Sequence, residues 1–178
     1  MRSSRALPLL AMLLALAALI GLGALGGGAG PKGSQDARVV RVVDGDTVKV
    51  ALDGRVQSLR YIGMDTPEDV KPGVGVRCWS RRAAADNARL VAGRVVTLRF
   101  DRNPRDRYGR LLAYVYRRDD GLFVNAELVR RGDARARPFP DNTAHRTLFG
   151  RLAASARAGR IGLWGRCGPS GSEAFGGP

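Results

Sequence analysis

The sequence contains few of the side chains on which many metal and acid–base sites depend. Its 178 residues include one histidine, His145, and two cysteines, Cys78 and Cys167. A Cys/His zinc site, a histidine-containing metal finger and a ribonuclease built on a histidine pair each need more of these residues than the chain has. Any chemistry on this chain must therefore rely on carboxylates, arginines or tyrosines.

Negative charge is also scarce. The chain has 16 acidic and 30 basic residues, a formal net charge of +14. No acidic residue precedes Asp36, and the chain from there on carries most of the basic residues as well. Such an excess favours a polyanionic partner, which could be nucleic acid, anionic lipid or acidic glycan. Arginine enrichment in a GC-rich genome would contribute to the same balance, so charge alone selects no function.

The first 35 residues predict an export segment. Arg2 and Arg5 precede an apolar run from Ala6 to Leu25, and a Gly-rich linker follows. The run suits a secretory signal peptide, with a weak cleavage site at Leu22–Ala24. It also reaches the roughly 20 residues that span a bilayer, so an uncleaved N-terminal membrane anchor is the alternative. In both cases the arginines keep the N-terminus in the cytoplasm, and we expect a secreted or membrane-anchored domain outside the cell.

One folded domain is predicted over residues 36–167, followed by a disordered tail over 168–178 that is rich in Gly, Ser and Pro. The sequence shows no internal repeat. Runs of β-branched or alternating apolar residues predict five strands, at 39–43, 47–52, 56–62, 95–100 and 111–116.

Three helices are predicted, from about 80 to 92, from 126 to 131 and from about 143 to 158. Asn125 and Thr143 are the expected N-terminal caps of the second and third, and Gly93 is expected just past the end of the first. Five strands with a helix between the third and fourth predict an α+β fold that is mainly β. The architecture that suits them is a closed five-stranded barrel of the OB type with three helices.

Two aspartates are predicted to lie close together at one end of this barrel. Asp46 begins the second strand and Asp65 follows the third. The Asp53-Gly54 hairpin makes these strands antiparallel, so the start of one meets the end of the other. Two adjacent carboxylates repel each other unless a cation lies between them, and a site without His or Cys ligands indicates Ca²⁺ or Mg²⁺. The alternative is that these aspartates serve turns and caps.

Two arginines and a glutamate accompany the aspartates. Arg60 lies on the third strand and Arg110 opens the fifth. Each alone is most simply a solvated surface residue, but two arginines beside a carboxylate-bound cation form a phosphate clamp. The forked guanidinium matches phosphate oxygens and can stabilise charge that develops on them. Glu68 would lie on the solvent side, where it can orient or deprotonate a water molecule.

These residues carry a resemblance to the staphylococcal nuclease (thermonuclease) family over about residues 37–164. Any one of the shared motifs is weak, but the ordered set is highly specific. The motifs are Asp44-Gly45-Asp46-Thr47, Arg60 with Asp65-Thr66-Pro67-Glu68, Asp106 to Tyr114, Asn125 to Gly132 and the cluster around Trp164.

The resemblance implies an OB-type barrel with three helices and a calcium-dependent nuclease, acting as an endonuclease and exonuclease. DNA and RNA would be its substrates, in single-stranded or unstructured form, and the protein would be a monomer. By the same resemblance Asp46 and Asp65 would bind the cation through their carboxylates, and Thr66 through its backbone carbonyl. Mg²⁺ or another hard divalent cation is the alternative to Ca²⁺.

The resemblance also assigns the catalytic and substrate-binding residues. Arg60 and Arg110 would bind the scissile phosphate, and Glu68 would be the general base or the group that orients the water. Arg107 and Tyr108 match family positions that contact a nucleotide phosphate.

One loop departs from the family pattern. The family type has two tyrosines before its last helix, where a base can stack, whereas this chain has Phe139 between Pro138 and Pro140. Phe139 is the candidate replacement, and base stacking on an aromatic ring is worth about 1–3 kcal/mol. Two other functions stay open at this point: a non-catalytic OB module that binds nucleic acid, and a structural or wall-binding role for the basic surface.

The two cysteines are an addition of this chain. In an exported protein Cys78 and Cys167 are expected to form a disulfide, which would tie the start of the first helix to the C-terminal segment. Two unpaired thiols are the alternative in an anchored or reducing setting.

Overall fold

The computed structural model of the chain describes residues 33–68, 76–168 and 171–175. The predicted export segment and most of the Gly-rich linker lie outside these ranges. Within the described residues, no helix combines the length and the apolar character needed to cross a membrane.

Five strands close into a barrel in the order β1-β2-β3-β6-β5. Neighbouring strands are antiparallel except β3 and β6, which run parallel because a helix and β5 lie between them in sequence. This confirms the predicted five-stranded barrel. The strands are β1 Ser34–Val42, β2 Thr47–Leu52, β3 Arg55–Tyr61, β4 Met64–Asp65, β5 Val95–Arg99, β6 Leu111–Arg117 and β7 Arg135–Ala136.

Strand β1 closes the barrel because it pairs on both of its edges. Ser34 to Arg38 pair with β5, and Arg38 to Val42 pair with β2, with an irregularity between Val39 and Arg41. The strand therefore starts at Ser34, within the stretch that the sequence assigns to the linker. Ser34 and Gln35 join β5 through backbone hydrogen bonds, which leave no apolar pattern in the sequence.

Alternate strand residues point into the barrel and form its core. Tyr61, which is fully buried, donates a hydrogen bond from its hydroxyl to Oδ1 of Asn87 at 3.0 Å. The Asn87 amide in turn donates to the backbone carbonyl of Asp44 at 2.9 Å. A buried amide on a helix thus supports the turn between β1 and β2. The barrel core includes Val39, Val48, Val50, Leu59, Tyr61, Val96, Leu98, Leu111, Ala113 and Val115.

The three predicted helices are present, and two short helical turns follow them. Gly93 has a φ of 69° and lies one residue past the C-terminal cap of the first helix, as predicted. The helices are α1 Ser80–Val91, α2 Val124–Arg130, α3 Arg146–Ala158, α4 Leu163–Arg166 and α5 Ser172–Phe175.

Both predicted N-terminal caps are wrong. Helix α2 begins at Val124 and α3 at Arg146, and in the described chain neither has a side-chain cap. Asn125 lies inside α2 and is fully buried, where its amide donates to the Ile62 carbonyl at 2.9 Å and accepts from the Val115 amide at 2.9 Å. Its hydrogen-bonding groups are used to join α2 to the barrel, because a buried polar side chain must be satisfied wherever it lies.

The C-terminal segment packs back onto the domain. Cys78 and Cys167 form a disulfide with their Cα atoms 5.7 Å apart, which confirms the predicted pairing. Ala174 on α5 is buried in a small apolar cluster with Leu163 and Trp164. The helical turn Ser172–Phe175 therefore differs from the predicted disordered tail over 168–178, because Ala174 packs against Leu163 and Trp164 of α4.

Candidate active site

The turn between β1 and β2 presents Asp46 to the mouth of the barrel. The Asp46 amide donates to Oδ1 of Asp44 at 2.9 Å, which fixes the turn. Oδ2 of Asp46 accepts hydrogen bonds from the backbone amide of Thr66 at 2.8 Å and from its hydroxyl at 3.0 Å. A Cβ at Gly45 would lie 2.7 Å from the Thr66 side chain, so this close approach of two loops requires glycine.

Arg60 joins the two predicted metal ligands. Strand pairing places Thr47 opposite Arg60, so that Arg60 lies beside Asp46. Its Nη1 is 2.5 Å from Oδ2 of Asp46, and its Nη2 donates to Oδ1 of Asp65 at 2.9 Å. Asp46, Arg60 and Asp65 are each 6% exposed, so the triad is buried and weakly screened by solvent. The contact to Asp46 is an ion pair in which Nη1 is not aligned for a hydrogen bond to any described residue.

Two further arginines, which were not predicted from the sequence, contact Asp65. Asp65 on β4 pairs with Arg135 on β7. The Arg135 Nη2 and Nε donate to Oδ2 of Asp65 at 2.8 and 3.1 Å, and the Arg137 Nη1 donates to Oδ1 at 2.9 Å. The signal was present, since Arg135 and Arg137 alternate at i and i+2 in an extended segment and so share one side of it.

Two grooves open beside this triad. The first, here the carboxylate groove, has a volume of about 360 Å³ and the second, the arginine groove, about 590 Å³. Both volumes fall in the range of small-molecule binding sites, about 300–1,000 Å³. The carboxylate groove is lined by Asp65, Thr66, Glu68, Arg77, Arg135, Arg137, Ala174 and Phe175. The arginine groove is lined by Arg60, Asp106, Arg107, Tyr108, Arg110, Arg137, Pro138, Phe139 and Pro140.

The remaining predicted residues are distributed between the two grooves. Glu68 is exposed and lines the carboxylate groove beside Asp65 and Thr66. Arg110 lines the arginine groove, where its Nε donates to Oδ2 of Asp106 at 2.7 Å. That hydrogen bond fixes the base of the Arg110 guanidinium.

Tyr108 and Phe139 supply the aromatic surface of the arginine groove. Tyr108 is 69% exposed, and the guanidinium of Arg107 lies 4.8 Å from its ring centroid. The Arg107 Nη2 also donates to the Tyr108 hydroxyl at 2.6 Å. Phe139 is half-buried. All nine site residues predicted from the sequence therefore lie at one end of the barrel, around the Arg60 triad.

Comparison with known proteins shows the family of this chain. A family model described as "Staphylococcal nuclease homologue" matches residues 58–166. A thermonuclease of Staphylococcus intermedius is 38% identical over 128 residues, which is 72% of this chain and 75% of that protein. The endonuclease YncB of Bacillus subtilis is 37% identical over 139 residues, which is 77% of this chain and 65% of that protein.

The chain belongs to the staphylococcal nuclease family. The match confirms the resemblance drawn from the motifs, and it makes the chain a phosphodiester hydrolase. The SPbeta prophage-derived endonuclease YokF of Bacillus subtilis is 38% identical, but this chain spans only 45% of its length.

Nucleases of the staphylococcal family are in general metal-dependent, and the oxygen donors here suit a hard cation. Burial and then the charge of Asp46 raise the pKa of Asp44 to about 6. Asp46, Asp65 and the Thr66 carbonyl offer oxygen atoms without nitrogen or sulfur. Among the described residues, no three His, Cys, Asp or Glu side chains form a metal-binding group, so two carboxylates and a carbonyl would need ligands from water or substrate.

Proposed function

We propose that this staphylococcal nuclease family member is a calcium-dependent nuclease that hydrolyses DNA and RNA in single-stranded or unstructured regions, as a monomer. The observation that carries the proposal is the buried Arg60 triad, which has Glu68 on one side and Arg110 on the other. Two carboxylates for a cation, two arginines for a phosphate and one exposed carboxylate for water are the groups that phosphodiester hydrolysis needs.

Asp46 and Asp65 would hold the cation through carboxylate oxygens, with the Thr66 carbonyl as a third ligand. When bound, the cation would neutralise charge on the phosphate and make phosphorus more electrophilic. The chain prepares this site in advance, because Thr66 fixes the Asp46 carboxylate with two hydrogen bonds. Ca²⁺ is proposed over Mg²⁺ from the family resemblance, since the oxygen ligands alone suit either hard cation.

Arg60 and Arg110 would bind the scissile phosphate from the arginine groove. The Arg60 guanidinium lines the arginine groove, so it would contact a phosphate oxygen from there. Arg110 approaches from the other side of the groove, held by Asp106. Donors aimed at an oxygen whose charge grows in the transition state accelerate hydrolysis, and each is worth about 10²–10³ in rate.

Glu68 would act on the attacking water. It is exposed and lines the carboxylate groove, whereas Arg110 lines the arginine groove, so a water held by Glu68 would reach the phosphorus from the carboxylate groove. The water oxygen forms the new bond to phosphorus as the bond to the leaving nucleotide breaks. Glu68 orients the water or accepts its proton, and the geometry supports both roles.

Substrate residues flanking the scissile bond would lie along the arginine groove. Arg107 and Tyr108 would bind a neighbouring phosphate, since the guanidinium and the hydroxyl are already joined by a 2.6 Å hydrogen bond. Phe139 would offer a surface for a base. Such stacking tolerates any base and needs an unpaired strand, which is the reason for expecting single-stranded or unstructured substrates.

The decisive measurement is release of acid-soluble nucleotides from single-stranded DNA and from RNA at millimolar Ca²⁺. We expect release from both, loss of release on chelation, and recovery with Ca²⁺ but weaker recovery with Mg²⁺. Glu68→Gln should lower the rate by several orders of magnitude and leave the circular dichroism spectrum unchanged. Binding of single-stranded DNA without release by the wild-type protein would instead identify a non-catalytic OB module.

Export is proposed from the N-terminal segment alone. The protein would act outside the cytoplasm, either released after cleavage or held by its first 25 apolar and basic residues. Intact-mass measurement on protein recovered from the culture medium and from membranes distinguishes the two. A full-length mass only in the membrane fraction would contradict a secreted form.

A further inference from the structure

Arg135 and Arg137 share one carboxylate but are held to it in different ways. Arg135 donates two hydrogen bonds to Oδ2 of Asp65, and its guanidinium lies 4.0 Å from the centroid of the Phe175 ring. Its backbone is paired with Asp65 in the small β4–β7 sheet. Strand pairing, two hydrogen bonds and a covering ring all oppose movement of this side chain.

Arg137 is held less tightly. One nitrogen, Nη1, donates to Oδ1 of Asp65 at 2.9 Å, and the side chain is 54% exposed. The backbone is fixed, because its amide donates to the Gly63 carbonyl at 2.9 Å and the next residue is Pro138. The guanidinium is therefore held through one nitrogen on a fixed backbone, and the arginine side of its ion pair with Asp65 is open to solvent.

The position of Arg137 is also distinctive. It lines both the carboxylate groove and the arginine groove, so its guanidinium lies between the groups assigned to the cation and those assigned to the phosphates. Among the three arginines on Asp65, Arg60 is buried. Arg135 is 42% exposed and is held by two hydrogen bonds and the Phe175 ring, whereas Arg137 is 54% exposed and is held by one hydrogen bond.

The positive charge of the arginines around Asp65 exceeds the negative charge of Asp65, so Arg137 can bind a second anion. Asp65 carries one negative charge and contacts three guanidinium groups. Asp46 is paired with the same Arg60. A phosphate that enters the arginine groove therefore offers Arg137 a second anionic partner, and a guanidinium can contact a carboxylate and a phosphate at once through different nitrogens.

We propose that Arg137 is a substrate-binding residue that contacts a phosphate of the nucleic acid adjacent to the scissile one. The proposal rests on the proposed nuclease function and adds a third arginine to its substrate site. Arg137 acts on affinity, because it lies beside the reacting phosphate and not on it.

The test is the salt dependence of binding to a short fluorescent oligothymidylate, measured by anisotropy at millimolar Ca²⁺. All proteins carry Glu68→Gln so that the substrate survives the titration. Arg137→Ala should raise Kd about five- to tenfold at low salt. It should also reduce the slope of log K against log salt by about 0.7, the value for loss of one phosphate contact on a single strand. Arg137→Lys should restore the slope, because the positive charge is kept.

Arg94→Ala is the matched control. Arg94 is also partly exposed and also makes an ion pair, with Asp119 at 2.7 Å, but Asp119 follows β6 whereas Arg110 precedes it. Arg94 therefore lies at the other end of the barrel, and its loss should leave the slope within error of the parent. A slope for Arg137→Ala equal to that of Arg94→Ala would overturn the proposal.

Steady-state kinetics in the otherwise wild-type protein give a second readout. Arg137→Ala should raise KM several-fold and leave kcat within about threefold, because uniform binding is lost. A fall in kcat with unchanged KM would overturn the assignment to substrate binding. If the wild-type protein releases no nucleotides, the nuclease proposal itself fails. If it does and the slope is unchanged in Arg137→Ala, this inference alone fails.

Discussion

Asp65 and Glu127 are both carboxylates in contact with several arginines, but the arginines come from different parts of the chain in the two cases. Glu127 on α2 pairs with Arg130 and Arg131, three and four residues further along the same helix. Asp65 pairs with Arg60, five residues before it, and with Arg135 and Arg137, which are 70 and 72 residues away. One cluster follows from helix geometry, and the other exists only when the barrel has closed and β7 has joined β4.

The difference separates a cluster that stabilises a local element from one that can act on a ligand. The side chains of Arg130 and Arg131 are 60% and 41% exposed, and those of Arg135 and Arg137 are 42% and 54% exposed, so exposure does not distinguish the two clusters. The groups beside Asp65 line two grooves and converge with Glu68 and Arg110. We therefore expect changes at the first cluster to affect stability modestly and changes at the second to affect catalysis strongly.

The largest expected effect is at the centre of the Asp65 cluster. Arg60→Lys keeps a positive charge between Asp46 and Asp65 but removes the fork that can contact both carboxylates and a phosphate. We expect kcat to fall by about 10³-fold or more, because an arginine that stabilises a phosphoryl transition state is worth about 10³–10⁵. Single-turnover cleavage of labelled DNA measures this directly. If Arg130→Lys on α2 lowers kcat as much, the two clusters do not differ in their effect on catalysis.

Arg110→Ala is the next largest. This side chain is 34% exposed and pairs with Asp106 alone among the described acidic residues, so its removal should not unfold the barrel. We expect a loss of about 10²–10³ in kcat, the usual value of one transition-state donor. Cleavage rates and a urea unfolding curve, measured on the same preparation, separate the two effects. Wild-type cleavage by Arg110→Ala would remove Arg110 from the phosphate clamp.

The disulfide is a covalent connection between distant parts of the chain, so its removal tests stability and not catalysis. Replacing both Cys78 and Cys167 by serine should lower the free energy of unfolding by about 2–4 kcal/mol, since the bond closes a loop of 89 positions in the unfolded chain. Urea denaturation of the double variant, with the wild type as reference, measures the loss. An unchanged midpoint would mean that long-range connections in this domain contribute little beyond the site.

The smallest expected effect is at Glu127. Hydrogen bonds from Arg130 and Arg131 lower the pKa of Glu127 to about 2, from an ordinary value of 4.5. A carboxylate with a lowered pKa contributes stability that is present above pH 4.5 and is lost as the pH falls through about 2. Glu127→Gln should therefore destabilise the protein by about 1 kcal/mol at pH 7, a value reduced for the exposure of both arginines.

Urea unfolding of Glu127→Gln and wild type at a series of pH values checks this sign. The two midpoints should converge as the solution is acidified toward pH 2, where Glu127 of the wild type takes up its proton. A difference that persists or grows at low pH would show that packing of the side chain, and not its charge, is the source of the effect. Cleavage activity at pH 7 should be unaffected.

The sequence was sufficient to predict the barrel and to predict that Asp46, Arg60 and Asp65 lie close together. Alternating apolar residues, the Asp53-Gly54 hairpin and the ordered motifs were enough, because they depend on neighbours in the chain. Arg135 and Arg137 were missed because their partner, Asp65, lies about seventy residues away and their meeting depends on a two-stranded sheet too short to leave a pattern. The cap at Asn125 was wrong for a related reason, since the Asn125 side chain bonds to the barrel and not to its own helix.

The hydrogen bonds from Tyr61 to Asn87 and from Asn87 to Asp44 connect the barrel interior, helix α1 and the turn that carries Asp46. A turn fastened in this way cannot relax separately from the structure beneath it. Its dihedral angles are set during folding, so little conformational entropy remains to be lost when a ligand arrives. The same connection means that the turn should not melt before the rest of the domain, and that heat should abolish cleavage and tertiary structure in one cooperative transition.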